Sequence, residues 1–372
     1  MIIYFWCFAL STLFAWLASR SKNKGVFLLY SIISILIPSI LAGLRATGVG
    51  IDTITYGQPM ALGALRASTL SDFIASYPSD EVGYEILTYA IMKTLGHENW
   101  CYFFYHFIMI SCIYIGAYKH RKTLSLPYVM LVWLLAYYNF SYNVIRQSMA
   151  GSIIFMNIDQ LETRQYKKFA VSIVVAFLFH HSAIIVFPLF FGMHIFATSE
   201  TLAKRLCLKT AIFCVAIVSA FFVRSVLFSM IELSYFSSIK YAGYIALDYS
   251  ASLGRSTAFI VLGEILMTFL YRKKGERVLA GKNLLRSNIE FYRYNLVFLL
   301  VWQYVIRFMM DRVVLYTSFI NIILVSAIPH FIKEKHLRFI VAMLIICYYL
   351  THWWFSHVLA GVGGTYPYRS IL

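Results

Sequence analysis

Arg45 and Asp52 flank Gly48 and Gly50 at a point where an apolar run of the chain stops abruptly. A guanidinium and a carboxylate on such a turn can hold a charged ligand closely, because glycine adopts backbone conformations closed to other residues and leaves room for close approach. The same residues could form a simple turn with an interfacial ion pair. Other polar residues recur in the apolar background. Asn139, Asn143 and Gln147 are spaced by four and share a face if one helix runs through them, with Arg146 nearly on that face. Gln303, Arg307 and Asp311 form a second row, and Arg312 with Tyr316 a third. A polar stripe in an apolar helix costs free energy unless something polar fills it. For the Arg307 row the alternative is an ion pair within the helix.

These residues sit in a chain that water would not tolerate as a soluble domain. Of its 372 residues 60% are hydrophobic and only 13% charged, and the mean hydropathy is +0.72. The class is therefore a polytopic membrane protein. The net charge of +16 comes in short basic clusters between apolar runs, the pattern that orients helices with positive loops in the cytoplasm, so nucleic-acid binding is excluded. Six cysteines lie in or beside apolar runs without a Cys-x-x-Cys spacing and read as packing residues. His106, His194, His330, His352 and His357 lack metal-ligand spacing and read the same way. The first run, Ile2 to Ala18, has no basic stretch ahead of it and reads as a retained span, with a signal anchor as the alternative.

Loop charge then threads the chain. Run one exits to Arg20, Lys22 and Lys24 inside, and run two, Val26 to Leu44, goes out. Arg45 to His97 is the most polar stretch and an outer loop, in which Tyr84 to Leu95 is too short to cross a core of roughly 30 Å and reads as an interfacial or re-entrant helix. Trp100 to Tyr118 returns to Lys119-His120-Arg121-Lys122, Leu126 to Phe140 goes out, and Val144 to Ile158 comes back. Phe169 to Phe196 extends roughly 42 Å as one helix, longer than one crossing and shorter than two. A hairpin bent at His180, His181 and Ser182, with Pro188 breaking the returning arm, keeps the later basic loops inside. Further spans follow at Thr210 to Ile231, Thr257 to Tyr271, Asn295 to Met310, Val313 to Pro329 and Arg338 to Phe355. The expected fold is an all-α polytopic integral membrane protein, one transmembrane domain over 1–372 with about 10 spans, a re-entrant hairpin and an outer-loop interfacial helix.

This map separates the two basic residue types. Ten of the 32 basic residues fall outside or in the slab, and eight of those are Arg (Arg45, Arg66, Arg146, Arg224, Arg255, Arg307, Arg312, Arg369). Topology needs only positive charge, whereas two-point contact with phosphate needs the planar guanidinium, so the bias suggests an outward site for a phosphorylated ligand. Greater tolerance of interfaces by Arg is the alternative.

Five of these patches occur in register. Gly43-Leu44-Arg45 with Gly48-Val49-Gly50-Ile51-Asp52-Thr53 and Tyr56, then Glu81-x-Gly83-Tyr84, Asn143-x-Ile145-Arg146-Gln147-x-x-Ala150, Phe179-His180-x-Ser182-Ala183, and Arg312 with Tyr316 together resemble the EpsG family of Wzy-like polysaccharide polymerases. The resemblance implies a glycosyltransferase of the bacterial inner membrane with its active site facing the periplasm. It would move a glycan from one undecaprenyl diphosphate carrier onto the sugar of another carrier-linked repeat unit. Donor, acceptor and membrane lipid are the implied partners, together with a chain-length regulator and the flippase of the same pathway. An O-antigen ligase or a lipid-linked oligosaccharide flippase is the rival reading. A lipid diphosphate brings its own leaving group, so the chemistry needs cations and a base and no cofactor. Arg45, Arg146, Arg307 and Arg312 could supply the charge, and the chain has no Asp-x-Asp pair of the kind that holds a metal. The base candidates are His180, Asp52 and Glu81. Glu81, Asn143, Gln147 and Tyr316 complete the expected substrate contacts.

Overall fold

The computed structural model describes residues 1–77, 81–197, 291, 295 and 311–372, and every element among them is helical. The spans expected at Thr210 to Ile231 and Thr257 to Tyr271, the span expected at Asn295 to Met310 apart from Asn295 itself, and the residues Gln303 and Arg307 lie outside the described residues. The chain divides into two compact units, Met1–Phe187 with Glu334–Leu372, and Pro188–Lys333.

The first unit is built on a pair of long apolar helices, α1 (Ile2–Arg20) and α2 (Lys24–Gly43). The tight turn between them works because Asn23 caps α2, its Oδ1 accepting from the backbone N–H of Gly25 and Val26 at 2.8 and 3.2 Å. Pro38 inside α2 removes the N–H that would have bonded Ser34 O, and hydrocarbon cannot hydrate the freed carbonyl. Ser11 of α1 supplies the replacement: its Oγ donates to Ser34 O at 2.7 Å, and Ser34 Oγ donates back to Ser11 O at 2.8 Å.

The polar stretch after α2 contains more structure than one interfacial helix. A π-helical turn over Thr53–Gly57 leads into α3 (Gln58–Arg66), α4 (Leu70–Ser76) follows, and α5 (Val82–Leu95) occupies the apolar piece. Thr69 and Asp72 cap α4 reciprocally, and α5 stops at Gly96 in the left-handed conformation. The helix over α5 was expected; α4 escapes a hydropathy reading because its apolar residues are few, and its capping box was the available signal.

α6 (Glu98–Lys119) crosses back, and α7 (Leu126–Trp133) continues as a π-helix over Leu134–Tyr138. A single helix does not run on through Asn139, Asn143 and Gln147. The π segment gives way to a 3₁₀ turn over Phe140–Tyr142, Val144 leaves helical geometry, and α8 (Ile145–Met156) starts afresh. Asn139 and Gln147 consequently do not form one row. After α9 (Ile158–Glu162) and α10 (Tyr166–Phe179), the chain breaks at His180, which is extended at φ −161 and ψ 121. A 3₁₀ turn over His181–Ile185 precedes α11 (Val186–Ala197). The break falls where the sequence put it, but Pro188 lies in the first turn of α11, where no intrahelical N–H is required, so it starts that helix instead of interrupting it.

In the second unit α12 (Asp311–Ala327) is followed by a 3₁₀ turn over Ile328–Phe331. The chain returns to the first unit with α13 (Lys335–Trp353), extended by a π segment to Leu359. Among the described residues four helices are long and apolar enough to cross a membrane: α1, α2, α6 and α13 with its extension. Leu126–Tyr138, His181–Ile195 and Leu315–Phe331 are shorter apolar helices. The heart of the first unit is aromatic, with Tyr4, Phe8 and Tyr138 packed edge-on around Trp353 or one another at ring separations of 5.4 to 6.4 Å.

Candidate active site

Three of the sequence-predicted residues meet at the start of α5. Glu81, the N-cap residue of that helix, is buried, and its two carboxylate oxygens divide their work. Oε2 accepts from Arg146 Nη1 and Oε1 accepts from His180 Nδ1, each at 2.5 Å. The carboxylate thereby fixes the proton of the imidazole on Nδ1, leaving Nε2 as the basic nitrogen. That Nε2 is shielded from solvent and makes no hydrogen bond among the described residues. Burial alone would push the Glu81 carboxyl up, but the hydrogen bond from His180 and the charge of Arg146 outweigh it and hold the group below the usual carboxylate range.

That direction fixes a stability prediction. A carboxylate with a folded pKa below its unfolded value of about 4.3 adds stability above that pH and loses it as pH falls through the folded value. The apparent melting temperature of the wild type should therefore fall more steeply below about pH 4.3 than that of Glu81→Gln. Parallel curves would contradict the pairing.

Backbone geometry explains how residues so far apart in sequence converge. Gly83 lies in the first turn of α5 against the end of α10, and a Cβ built there would stand 2.9 Å from both Cβ and the carbonyl oxygen of Leu178. Only glycine lets α5 approach closely enough for Glu81 to reach His180. Gly83→Ala must push the helices apart, and a misplacement of about 1 Å can cost up to roughly 10²-fold in rate. A loss of about tenfold or more in turnover is expected with folding retained, read from product formation; unchanged turnover would show that the spacing is not critical.

Arg146 lies in the first turn of α8, and its side chain remains 32% accessible beyond its bond to Glu81. It lies over the Tyr84 ring at 5.8 Å, and Tyr84 packs on Tyr105 at 4.8 Å. Asp52 is half-buried and close enough to add its charge to that of Glu81 at Arg146. Its loop is held by Asn143, whose Oδ1 accepts from Asp52 N at 3.2 Å while its Nδ2 donates to Gly363 O at 3.0 Å. Gly50 has φ +95, as a special turn requires. Gln147 is buried in α8.

Arg45 is elsewhere in character. It is fully buried, with its guanidinium carbon 4.4 Å from the Tyr102 ring and 4.1 Å from the Tyr142 ring. None of its three side-chain nitrogens has a hydrogen-bond acceptor among the described residues. Arg307 lies outside the described residues, as does the side chain of Arg312; α12 carries Arg312 and the buried Tyr316 in the second unit.

One part of this framework carried no sequence expectation. Residues 361–371 brace the Arg45–Asp52 loop by backbone bonds: Ala46 N donates to Arg369 O at 2.8 Å, Gly50 N to Gly364 O at 3.0 Å and Ile371 N to Leu44 O at 3.0 Å. Tyr4 Oη donates to Thr365 O at 2.7 Å, and Asn139 Nδ2 to Thr365 Oγ1 at 3.1 Å. The available signal was Gly361, Gly363 and Gly364 just beyond the final span, all three at positive φ.

Helical architecture, apolar spans and a buried carboxylate–imidazole–guanidinium cluster define an integral membrane protein of the polytopic helical class. The EpsG family model matches residues 28–370. The chain belongs to the EpsG family, which is a family of Wzy-like polysaccharide polymerases. No curated protein and no solved structure gives a match.

Proposed function

We propose that this protein polymerises a polysaccharide by transferring a glycan from one undecaprenyl diphosphate carrier to the sugar of another carrier-linked repeat unit at the outer face of the cytoplasmic membrane. The observation that carries the reading is the Glu81–His180–Arg146 cluster. Glu81 orients the imidazole, and His180 Nε2 takes the proton from the acceptor hydroxyl once the site opens to admit it. The hydroxyl oxygen then bonds the anomeric carbon of the donor, whose bond to the diphosphate oxygen breaks. The electron pair leaves with the diphosphate, whose charge Arg146 stabilises through the nitrogens that Glu81 does not occupy. Arg45, Arg307 and Arg312 are the further cations of this proposal, and Asp52 the alternative base. The arginines supply the positive charge in the proposed step, and no cofactor enters it.

The test is to incubate the purified full-length protein with one synthetic undecaprenyl diphosphate repeat unit. A ladder of lengthening products supports polymerisation. Product only when a lipid A core acceptor is added would make it a ligase, and transbilayer movement without a new bond a flippase. The outward orientation rests on loop charge. Single cysteines at Ser68 and Lys122 in a cysteine-free variant should label differently with an impermeant maleimide on spheroplasts, Ser68→Cys strongly and Lys122→Cys weakly; equal labelling would overturn the orientation.

A further inference from the structure

Lys22, Lys24 and Arg121 line a cavity of about 490 Å³ formed by the end of α1, the starts of α2 and α7, and the turn after α6. It lies at the far end of these helices from Glu81. Asn99, in the first turn of α6, donates to Gly43 O at the other end of α2, and that helix is 20 residues long, so about 30 Å separates the two ends.

Charge is left unbalanced at this cavity. Two basic groups beside it are matched: Lys119 Nζ lies 2.9 Å from Asp159 and His120 Nε2 3.0 Å from Glu162. Lys22, Lys24 and Arg121 form no ion pair with any acid among the described residues. Two helices, α2 and α7, also begin at the cavity and add the partial positive charge of their N-termini. Ser125, the N-cap residue of α7, makes no side-chain cap bond and also lines the cavity.

The remaining wall mixes polar Ser19, Ser21 and Asn23 with apolar groups. Phe27 and Tyr118 line it with their rings 5.0 Å apart. From this level α2 continues with Val26, Leu28 and Leu29, which are 38%, 58% and 55% exposed. A polar basic cup thus opens at the foot of an uncovered apolar face, which is the polarity profile of a lipid: anion below, hydrocarbon above.

We propose that this cavity binds the phosphate headgroup of an anionic phospholipid of the inner leaflet, with an acyl chain along the exposed face of α2. The volume falls in the range of small-molecule sites. Lys22 and Lys24 supply point charges to the phosphate, and Arg121, stacked on Tyr118 at 3.9 Å, supplies a guanidinium edge. A soluble phosphate ester shares the headgroup chemistry, but the uncovered apolar face favours the lipid. The site requires no reaction at the opposite end of the helices.

The experiment titrates the full-length protein in phosphatidylcholine nanodiscs with phosphatidylglycerol and counts bound lipid by native mass spectrometry. One phosphatidylglycerol per chain should be retained about tenfold more strongly than phosphatidylcholine. Lys22→Gln with Lys24→Gln should erase that preference, whereas Lys167→Gln with Lys168→Gln, which removes equal charge on the same side, should keep it. Ser21→Trp fills the cavity with every charge left in place and should also erase it, which decides the matter if the lysine variant inserts wrongly. Preference retained by both cavity variants, or lost equally in the Lys167 and Lys168 variant, overturns the site. Displacement of phosphatidylglycerol by an equimolar amount of glycerol 1-phosphate overturns the lipid as its occupant.

Discussion

A His180→Gln enzyme turns over about 10² to 10⁴-fold more slowly than the wild type while binding the diphosphate donor with unchanged affinity. The expectation follows from the division of labour at Glu81. One carboxylate oxygen holds His180 Nδ1, so the proton-accepting nitrogen is Nε2, and glutamine cannot take a proton there. Arg146, bonded to the other oxygen, is left intact to meet the donor. His181→Gln supplies the control. Its ring stacks on Phe177 at 4.7 Å and takes no part in the bonds to Glu81, so its turnover should stay within a few-fold of wild type. Parallel kinetics and donor-binding titrations on His180→Gln, His181→Gln and Asp52→Asn check the assignment. Normal turnover in His180→Gln, or a loss of donor binding in proportion to rate, removes His180 as the base and passes the role to Asp52.

Arg45→Met should abolish polymerisation, with at least about a hundredfold loss, yet melt no lower than the wild type. A fully buried guanidinium that finds no acceptor among the described residues carries a desolvation penalty of several kcal/mol. The two tyrosine faces offset about 2 to 4 kcal/mol of it. Methionine has similar length and no charge to desolvate, so removing the guanidinium forfeits the ring contacts and the penalty together. A destabilising group kept in a core is explained if it is held there for a ligand anion, and that requires the tyrosine sandwich to part when the donor arrives. Thermal unfolding of the purified variant beside its product ladder measures both halves. A melting temperature several degrees lower with activity preserved would make Arg45 a structural pillar and nothing more.

Most of what could be seen in the sequence was carried by hydropathy and by charge. The long apolar runs announced α1, α2, α6 and α13 within a few residues, because a helix that crosses hydrocarbon must be apolar over its whole length. His180 announced its break in the same way, as a polar residue inside an apolar run. Contact between distant residues was not legible. Glu81 stood among the base candidates, but its bonds to Arg146 and His180 span 65 and 99 positions, and no local period encodes such a pairing. Asn139 and Asn143 misled for a related reason. Their four-residue spacing assumed a continuous helix, whereas the π and 3₁₀ turns between α7 and α8 send the two amides to different partners, Asn139 to the side chains of Thr365 and Trp353 and Asn143 to the backbone of Asp52 and Gly363. The tyrosines around Arg45 were invisible among 28 of their kind.

The bracing of the Arg45–Asp52 loop by residues 361–371 also dictates when that loop can take its shape. Ser370 Oγ donates to Leu44 O across 326 positions of chain. While the membrane-insertion machinery is still threading the intervening helices, that loop lacks the backbone partners that shape it. A half-made chain therefore sits in the membrane without the bonds that shape this loop. At the proposed site, this ordering alone keeps the loop unshaped until residues 361–371 are in place.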